Sequence, residues 1–266
     1  MCPVGFGLTK EKGHVAPHEL VCHVLLIETN EGLVLVDTGF GTSDVEHPEQ
    51  LGPGFAALVR PELDRRETAL EQVERLGFSR DDVRHIIPTH LDLDHAGGLP
   101  DFPQATVHVY AAEVEAALRA TEGSGASLPE KMRYRRAHFL HHPKWARYEV
   151  RGERFKGLEC VRQLEGLPPE LLLVPTIGHT RGHVAVVVDE GSGFLIHAGD
   201  AYFHRREMDP ERPWCPLPLR AFQTMVAFDD KARVANQSRL RTLARERDVR
   251  LFCAHDPVEL LSFASS

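Results

Sequence analysis

The chain has 266 residues, and its 42% hydrophobic and 26% charged content excludes a disordered, collagen-like or coiled-coil protein while allowing a substantial buried core. It carries 39 acidic against 31 basic residues, for a formal net charge of −8. This acidic balance counts against a general nucleic-acid binder, whose phosphate contacts need clustered lysine and arginine.

Eight short runs rich in leucine or β-branched residues are predicted as strands, because most are bounded by Gly, Pro, Asp or Asn. They are Leu20–Glu28, Leu33–Asp37, Arg84–Pro88, Ala105–Val109, Leu171–Pro175, Val184–Asp189, Phe194–His197 and Arg250–Cys253. The turns at Thr29–Gly32 and Glu190–Gly193 join neighbouring runs and contain glycine. Each turn therefore predicts a β-hairpin.

Helical patterns separate these strands. Leu70, Val73 and Leu76 share one stripe and are followed by Gly77, which predicts a helix over Glu67–Leu76 with a glycine C-cap. Further helices are predicted over Ala111–Ala120, Lys231–Arg247 and Pro257–Phe263.

Strands and helices alternate along the whole chain, which predicts a single α/β domain over residues 1–266 and not two tandem domains. The least regular stretch, at about 121–156, predicts a lid-like insertion, and a mobile solvated loop is the alternative. Aromatic and histidine side chains there and nearby are candidates for an apolar pocket wall, with ordinary packing as the alternative: Phe139, His142, Trp145, Tyr148, Trp214 and Phe222.

Cysteine usage indicates the compartment. The five cysteines include no C-x-x-C pair, so they suit neither a disulfide framework nor a thiolate zinc site, and a reducing interior is expected. The first residues lack the apolar core of a signal peptide, and no apolar run approaches the roughly 20 residues that span a bilayer. We expect a cytoplasmic protein with no membrane partner.

The chain contains 16 histidines, and its densest group of potential metal ligands lies in THLDLDHAGG, residues 89–98. Alternation along an extended chain places His90, Asp92 and Asp94 on one side, with the intervening leucines in the core. His95 follows where the chain turns. Three polar groups facing the same way beside apolar neighbours are costly to bury without a cation. The cluster therefore predicts a metal site.

Three later strand ends supply matching side chains. His179 lies in VPTIGHTRGH, Asp200 follows FLIHAG, and His255 lies in FCAHD. Each follows an apolar run and is flanked by small residues, as if one edge of a sheet gathered them. Ligands from several strand ends build a more rigid site than ligands on loops.

In order along the chain, these segments resemble the metallo-β-lactamase-fold hydrolases, and among them the quorum-quenching N-acyl homoserine lactone lactonases. The residues that carry the resemblance are CHVLLIETNEGLVLVDTG, GFSRDDVRHIIPTHLDLDHAGG, VPTIGHTRGH, GDAYF and the terminal AHD. The resemblance implies a four-layer αββα sandwich with two divalent metal ions at one sheet edge.

The resemblance also implies a ligand set. One metal would bind His90, Asp92 and His179, and the other would bind Asp94, His95 and His255, with Asp200 bridging both. Asp37 matches a position that supports such ligands from behind, since ligating histidines need partners that fix their tautomer. His183 also matches a recurring position and is expected to be either such a supporting residue or a structural one. The remaining histidines are expected to be surface or structural residues.

Two residues depart from the family pattern. The usual motif is H-x-H-x-D-H, and this chain has Asp92 where the middle histidine stands. A carboxylate is a harder ligand, so iron or manganese becomes an alternative to the zinc expected first. Many of these lactonases also have a tyrosine three residues after the bridging aspartate. Phe203 stands there, and Tyr202, one residue earlier, takes that catalytic role only if the local backbone differs.

A centre with two metal ions would be expected to catalyse hydrolysis. Two cations about 3.5–4 Å apart lower the pKa of a shared water, so that a metal-bridging hydroxide attacks a lactone or ester carbonyl, N-acyl homoserine lactones included. Asp94 is expected to pass a proton to the leaving group. Thioester or phosphodiester hydrolysis, or a di-iron redox reaction favoured by Asp92, are the alternatives. A small-molecule substrate is expected, without nucleic acid, and a homodimer is left open.

Overall fold

The computed structural model describes residues 8–11, 14–17, 20–123, 125–161 and 163–264. Its strands are β1 (Leu8–Glu11), β2 (His14–Pro17), β3 (Leu25–Thr29), β4 (Gly32–Val36), β5 (Val83–Ile87), β6 (Thr106–Tyr110), β7 (Lys144–Tyr148), β8 (Arg154–Phe155), β9 (Leu158–Glu159), β10 (Leu171–Pro175), β11 (Val184–Asp189), β12 (Phe194–His197) and β13 (Val249–Phe252).

Its α-helices are α1 (Thr42–Glu46), α2 (Pro53–Val59), α3 (Ala69–Arg75), α4 (Leu93–Ala96), α5 (Ala111–Thr121), α6 (Leu128–Arg133), α7 (Leu217–Val226), α8 (Asp230–Leu243) and α9 (Pro257–Ala264). Short 3-10 helices lie at Pro48–Leu51, Arg65–Glu67, Arg80–Asp82, Leu99–Asp101, Arg136–Phe139 and Arg205–Met208. In the described part of the chain, no helix combines the length and the apolar character needed to cross a membrane.

Two sheets form the frame. One has the order β3-β4-β5-β6-β7, with β3 antiparallel to β4 and the other pairs parallel. The other has the order β10-β11-β12-β13, antiparallel except for the parallel pair β12 and β13. Both predicted hairpins are present, as β3–β4 and β11–β12. The pairs β1–β2 and β8–β9 form small separate sheets.

Alternating side chains stack these sheets into four layers. In β4, Leu35 packs with Leu70 of α3, whereas Val34 and Val36 pack with side chains of the second sheet. In β10 of that sheet, Leu172 faces α8 and its neighbours in sequence face the first sheet. Each fully buried side chain of this kind stabilises the fold by about 1.5–3 kcal/mol. The predicted αββα sandwich is therefore confirmed.

Strand direction brings the polar loops to one edge. Because β10 and β12 both run antiparallel to β11, and β13 runs with β12, the carboxyl ends of β10, β12 and β13 point the same way. The parallel strands β4 and β5 likewise end together. The segments that follow β5, β10, β12 and β13 carry all seven candidate metal ligands, and the segment that follows β4 carries Asp37.

The structure corrects the expected lid. Residues 144–148 of the predicted insertion form β7, which pairs in parallel with β6 as the edge strand of the larger sheet. The earlier part of that range contains α6, whose Pro129, Met132 and Arg133 line the same cavity as Asp92 and Asp200. The first predicted strand begins at Leu25, because the preceding residues bond instead to the loop after β13, where His23 N donates to Ala254 O at 2.9 Å.

Candidate metal centre

Asp200 divides its two carboxylate oxygens between two pairs of histidines. Its Oδ2 lies 3.3 Å from Nε2 of His179 and 3.7 Å from Nε2 of His90. Its Oδ1 lies 3.0 Å from Nε2 of His255 and 3.3 Å from Nε2 of His95. All five side chains are buried. This is the arrangement expected of a residue that bridges two cations.

The other two carboxylates complete one group each. Asp92 Oδ2 lies 3.1 Å from Nε2 of His179 and 3.5 Å from Nε2 of His90. The two oxygens of Asp94 lie 3.9 Å from Nε2 of His95 and 3.8 Å from Nε2 of His255. The structure thus brings all seven predicted side chains together. We call His90, Asp92 and His179 the first ligand group, and Asp94, His95 and His255 the second.

Unpartnered atoms show that these residues fit metal ions. Among the described residues, buried side-chain atoms without a hydrogen-bond partner include Nε2 of His90 and His95 and Oδ1 of Asp92 and Asp200. Orphaned polar atoms of this kind are rare in folded proteins, because burying them is costly. Donors spaced 3.0–3.9 Å apart also match atoms that each lie about 2.0–2.2 Å from a shared cation.

Charge attraction within the centre is strong. Burial acts to raise the pKa of Asp200, but the imidazoles of His255, His95 and His179 outweigh it and hold that pKa well below its usual value of 3.8. The bridging side chain is therefore a carboxylate, the form that binds metal.

Asp37 orients one of these imidazoles from behind. Its Oδ2 lies 2.9 Å from Nδ1 of His95, and its Oδ1 accepts the backbone N–H of Thr89 at 2.7 Å. The backbone of Asp37 has a φ of 60°, a left-handed conformation that is uncommon outside glycine. Because a carboxylate on Nδ1 fixes the proton there, Nε2 of His95 is left to face the centre.

Two further contacts fix the loops of the second sheet. His255 Nδ1 lies 2.7 Å from the carbonyl oxygen of Val21, which directs its Nε2 at Asp200. His183 Nε2 accepts the backbone N–H of Asp200 at 2.8 Å, so this nitrogen is already engaged. His183 therefore supports the bridging residue, as predicted, and does not join the ligands.

A sequence model of the Metallo-beta-lactamase superfamily matches residues 19–255. The chain belongs to this superfamily. A probable metallo-hydrolase of Mycobacterium tuberculosis is 44% identical over 240 residues, which cover 90% of this chain and 75% of that protein. The superfamily fold and its metallo-hydrolase relatives make the chain a metal-dependent hydrolase with a divalent metal centre.

Lactonases are among its other relatives. An N-acyl homoserine lactonase of Bacillus thuringiensis is 26% identical over 233 residues, which cover 87% of this chain and 79% of that protein. A solved N-acyl homoserine lactone hydrolase, with N-hexanoyl-L-homoserine at its catalytic metal centre, superposes with a TM-score of 0.70. That structure is 24% identical, and the match covers 98% of this chain and 92% of that one.

An apolar cavity lies over the candidate metal centre. Its volume is ≈ 280 Å³, and its floor includes side chains of both ligand groups. Its walls come from the N-terminal segment, α2, α6 and the region around α7, through Leu20, Gly54, Phe55, Val59, Leu93, Pro129, Met132, Arg133, Phe203, Phe222, Met225 and Val226.

The structure places Tyr202 away from this cavity, which corrects the expected catalytic role. Tyr202 is fully buried, and its hydroxyl lies 3.0 Å from Oε1 of Glu259. Phe203 lines the cavity instead. Tyr202 stands one residue before the position of the lactonase tyrosine, and at this position its hydroxyl meets Glu259 and not the cavity.

The prediction that these aromatic side chains line the cavity is also wrong for most of them. Phe222 lines the cavity, but Phe139 and Trp145 pack in the core beneath the larger sheet. Tyr148 bonds to a ring nitrogen of His108 at 2.8 Å. These residues fit the alternative, ordinary packing: Trp145 and Tyr148 belong to β7 of the larger sheet, and Phe139 ends the 3-10 helix that precedes it.

Three residues that the structure places at the site were not predicted as site residues from the sequence. Arg133 of α6 contacts Asp92, and Cys22 Sγ lies within 4.8 Å of ligand atoms of Asp94 and His255. Glu113 of α5 is fully buried and accepts backbone N–H groups from the loops that carry both histidines of the first ligand group. Since they come from segments distant in sequence, only the fold brings them to the centre.

Proposed function

We propose that the chain is a dinuclear hydrolase that opens a lactone or ester, with N-acyl homoserine lactones as the first class to test. Such activity would make it a quorum-quenching enzyme. A small-molecule substrate, zinc as the metal and a cytoplasmic location belong to the same proposal. The observation that carries it is the apolar cavity, which lies directly over the two ligand groups.

The cavity suits an ester of amphipathic shape. Its floor is made of imidazoles and carboxylates, and its walls are aliphatic and aromatic side chains such as Phe55, Met132 and Met225. Binding sites of this composition bury an apolar body and orient it through a few polar groups. An acyl chain would gain about 0.8 kcal/mol for each methylene buried against these walls. The lactonase relatives from Bacillus support the same substrate class.

The chemistry divides between the metals and the chain. When bound, two divalent cations supply a water-derived nucleophile at neutral pH and polarise the carbonyl, so no serine or cysteine nucleophile is required. The first ligand group would hold one cation and the second group the other, and Asp200 is the carboxylate whose oxygens face both groups. His95 and His255 each bind a partner through Nδ1, which keeps Nε2 directed at the centre.

Asp94 is the carboxylate best placed to move a proton. Its side chain is 20% exposed, compared with 15% for Asp92 and 4% for Asp200, and it lines the cavity floor. Its position lets it accept a proton at the centre and deliver it to the alkoxide that leaves when the ring opens.

A substrate panel tests this function. Purified protein is assayed on acyl homoserine lactones, simple lactones, aryl esters, a thioester and a phosphodiester, before and after chelation and after metal is restored. We expect the highest kcat/KM on a lactone or ester, loss of turnover on chelation and recovery with zinc. Preference for the thioester or phosphodiester would replace the substrate class, and full activity in metal-free protein would reject the function.

A di-iron redox protein is a second candidate because of one observation. Asp92 adds a third carboxylate to the centre, at 3.1 Å from His179 Nε2, and carboxylates suit iron better than a third imidazole would. Iron in the isolated protein, visible absorbance and consumption of oxygen would favour this reading. Colourless protein with zinc and no oxygen consumption would exclude it.

A further inference from the structure

We propose that Arg133 is the charge partner of Asp92, and that the two residues together give the first ligand group the charge that one neutral histidine gives in the usual H-x-H-x-D-H motif. In this proposal the guanidinium compensates the negative charge that Asp92 adds at the position where the usual motif has a neutral histidine. This inference concerns metal binding by the chain and does not depend on the substrate.

The contact is direct and chemically specific. Nη1 of Arg133 lies 2.5 Å from Oδ2 of Asp92 and 3.0 Å from Nε2 of His179. Its Nη2 donates to the carbonyl oxygen of Val226, the last residue of α7. The guanidinium therefore touches two of the three residues of the first ligand group and is held from the opposite side by a backbone carbonyl.

Arg133 is no ordinary surface arginine. Its side chain is only 9% exposed, and among the described residues that line the cavity it is the only lysine or arginine. Exposed ion pairs contribute little, but a buried pair depends on both partners, because removing one leaves an uncompensated charge. The buried carboxylate of Asp92 therefore needs a positively charged partner, and Arg133 is in contact with it.

The segment that carries Arg133 is anchored independently. Glu130 of α6 bonds to Arg181 at 2.7 Å, and the hydroxyl of Tyr134 bonds to Glu113 at 3.0 Å. These contacts lie on either side of Arg133 in sequence and hold α6 over the centre without using Asp92. The guanidinium is therefore placed by the fold and not by its attraction to the carboxylate alone.

The summed charge of Asp92 and Arg133 determines how tightly the first ligand group is expected to bind a metal ion. With Asp92 and Arg133 both present, their charges cancel, as they would for a neutral histidine with no arginine. Replacing Arg133 alone leaves one extra negative charge beside the first ligand group. Replacing Asp92 with histidine alone leaves an unpaired guanidinium there. A unit charge a few ångströms from a divalent cation in a partly buried site changes binding by about tenfold or more.

Four forms of the protein test this balance: the native chain, Arg133→Met, Asp92→His and the double variant. Zinc and cobalt affinities are measured by competition with a chelator, and bound metal is counted by elemental analysis. We expect Arg133→Met to bind one of its two metals at least about tenfold more tightly than the native chain does, and Asp92→His to bind one of its two metals correspondingly less tightly. The double variant returns to the native affinity.

Independent effects would overturn the proposal. If Arg133→Met leaves both affinities unchanged, or if its effect adds to that of Asp92→His without compensation, the two residues are not a charge pair. Arg135→Met is the matched control, since Arg135 bonds to Leu51 O near the same helix and not to the centre. A change of affinity there would assign the effect to α6 in general.

Two provisions keep the test decisive. Should Arg133→Met not fold, Arg133→Gln removes the charge, retains an amide donor for the Val226 carbonyl and carries the same expectation. Because the readout is metal bound per chain, it is independent of turnover. A protein that is inactive on every ester still supports or overturns the role of Arg133, so failure here is distinguishable from failure of the proposed function.

Discussion

At the scale of single residues, the bridging role of Asp200 rests on four contacts of 3.0–3.7 Å to Nε2 atoms. Asp200→Ala removes the carboxylate shared by both ligand groups. We expect loss of bound metal together with a fall in kcat/KM larger than the about 10–100-fold typical of residues behind the ligands. Elemental analysis and steady-state kinetics on one preparation measure both. Native metal content in this variant would contradict the assignment.

For Tyr202 we expect an effect on stability and almost none on catalysis, the opposite of the effect expected for Asp200. Its hydroxyl bonds to Glu259 and lies outside the cavity, so Tyr202→Phe should change kcat/KM by less than about twofold while lowering the free energy of unfolding by about 1 kcal/mol for the lost hydrogen bond. Kinetics and urea denaturation separate the two effects. A tenfold loss of kcat with unchanged stability would return the tyrosine to the catalytic machinery.

Glu259 makes stability depend on pH. Burial raises the pKa of this carboxyl from 4.5 to about 7. Because the folded protein binds this proton more tightly than the unfolded chain does, the contribution is fully present below pH 4.5 and is lost as the pH rises through 7. We expect the difference in unfolding free energy between the native chain and Glu259→Gln to fall by roughly 3 kcal/mol across that window. A flat difference would contradict the raised pKa.

At the scale of elements, Glu113 of α5 joins three segments. Oε1 accepts the N–H of Leu91 and the hydroxyl of Tyr134, each at 3.0 Å, and Oε2 accepts the N–H of Gly182 at 2.9 Å. Glu113→Ala leaves those donors buried and unpaired, so we expect a loss of about 3 kcal/mol in unfolding free energy and weaker metal binding.

The same helix offers a control for that prediction. Glu115 is exposed on α5, and Glu115→Ala should stay within about 0.5 kcal/mol of the native chain in urea denaturation. An equal loss in both variants would mean that the effect comes from any change on α5 and not from the loops that Glu113 holds.

The sequence predicts some of these elements better than others, for physical reasons. The bounds of β10, β11 and β12 agree with their apolar runs, because buried strands must be apolar on both faces. β7 was missed: it is an edge strand, and its KWARY sequence contains exposed charged residues, which edge strands tolerate. The helices α1, α2, α6 and α7 also lacked a clear periodic signal, since they are short or proline-started.

Some residues of the candidate metal centre were likewise predictable from the sequence, and others were not. Its seven candidate ligands were predictable because each follows an apolar run at a strand end. Arg133, Cys22 and Glu113 were not, because nothing local marks an arginine, cysteine or glutamate that the fold carries to a distant loop. The offset of Tyr202 was visible, but only the backbone shows that the hydroxyl points to Glu259.

At the scale of the whole molecule, two sheets and their flanking helices bring loops from five strand ends to one edge, under an apolar cavity. The central claim is that metal bound there performs hydrolysis. The most direct test measures lactone hydrolysis as a function of metal bound per chain, by titrating metal-free protein. We predict no turnover without metal and a rate that reaches its maximum as bound metal approaches two per chain. Full turnover in the metal-free protein would contradict the account.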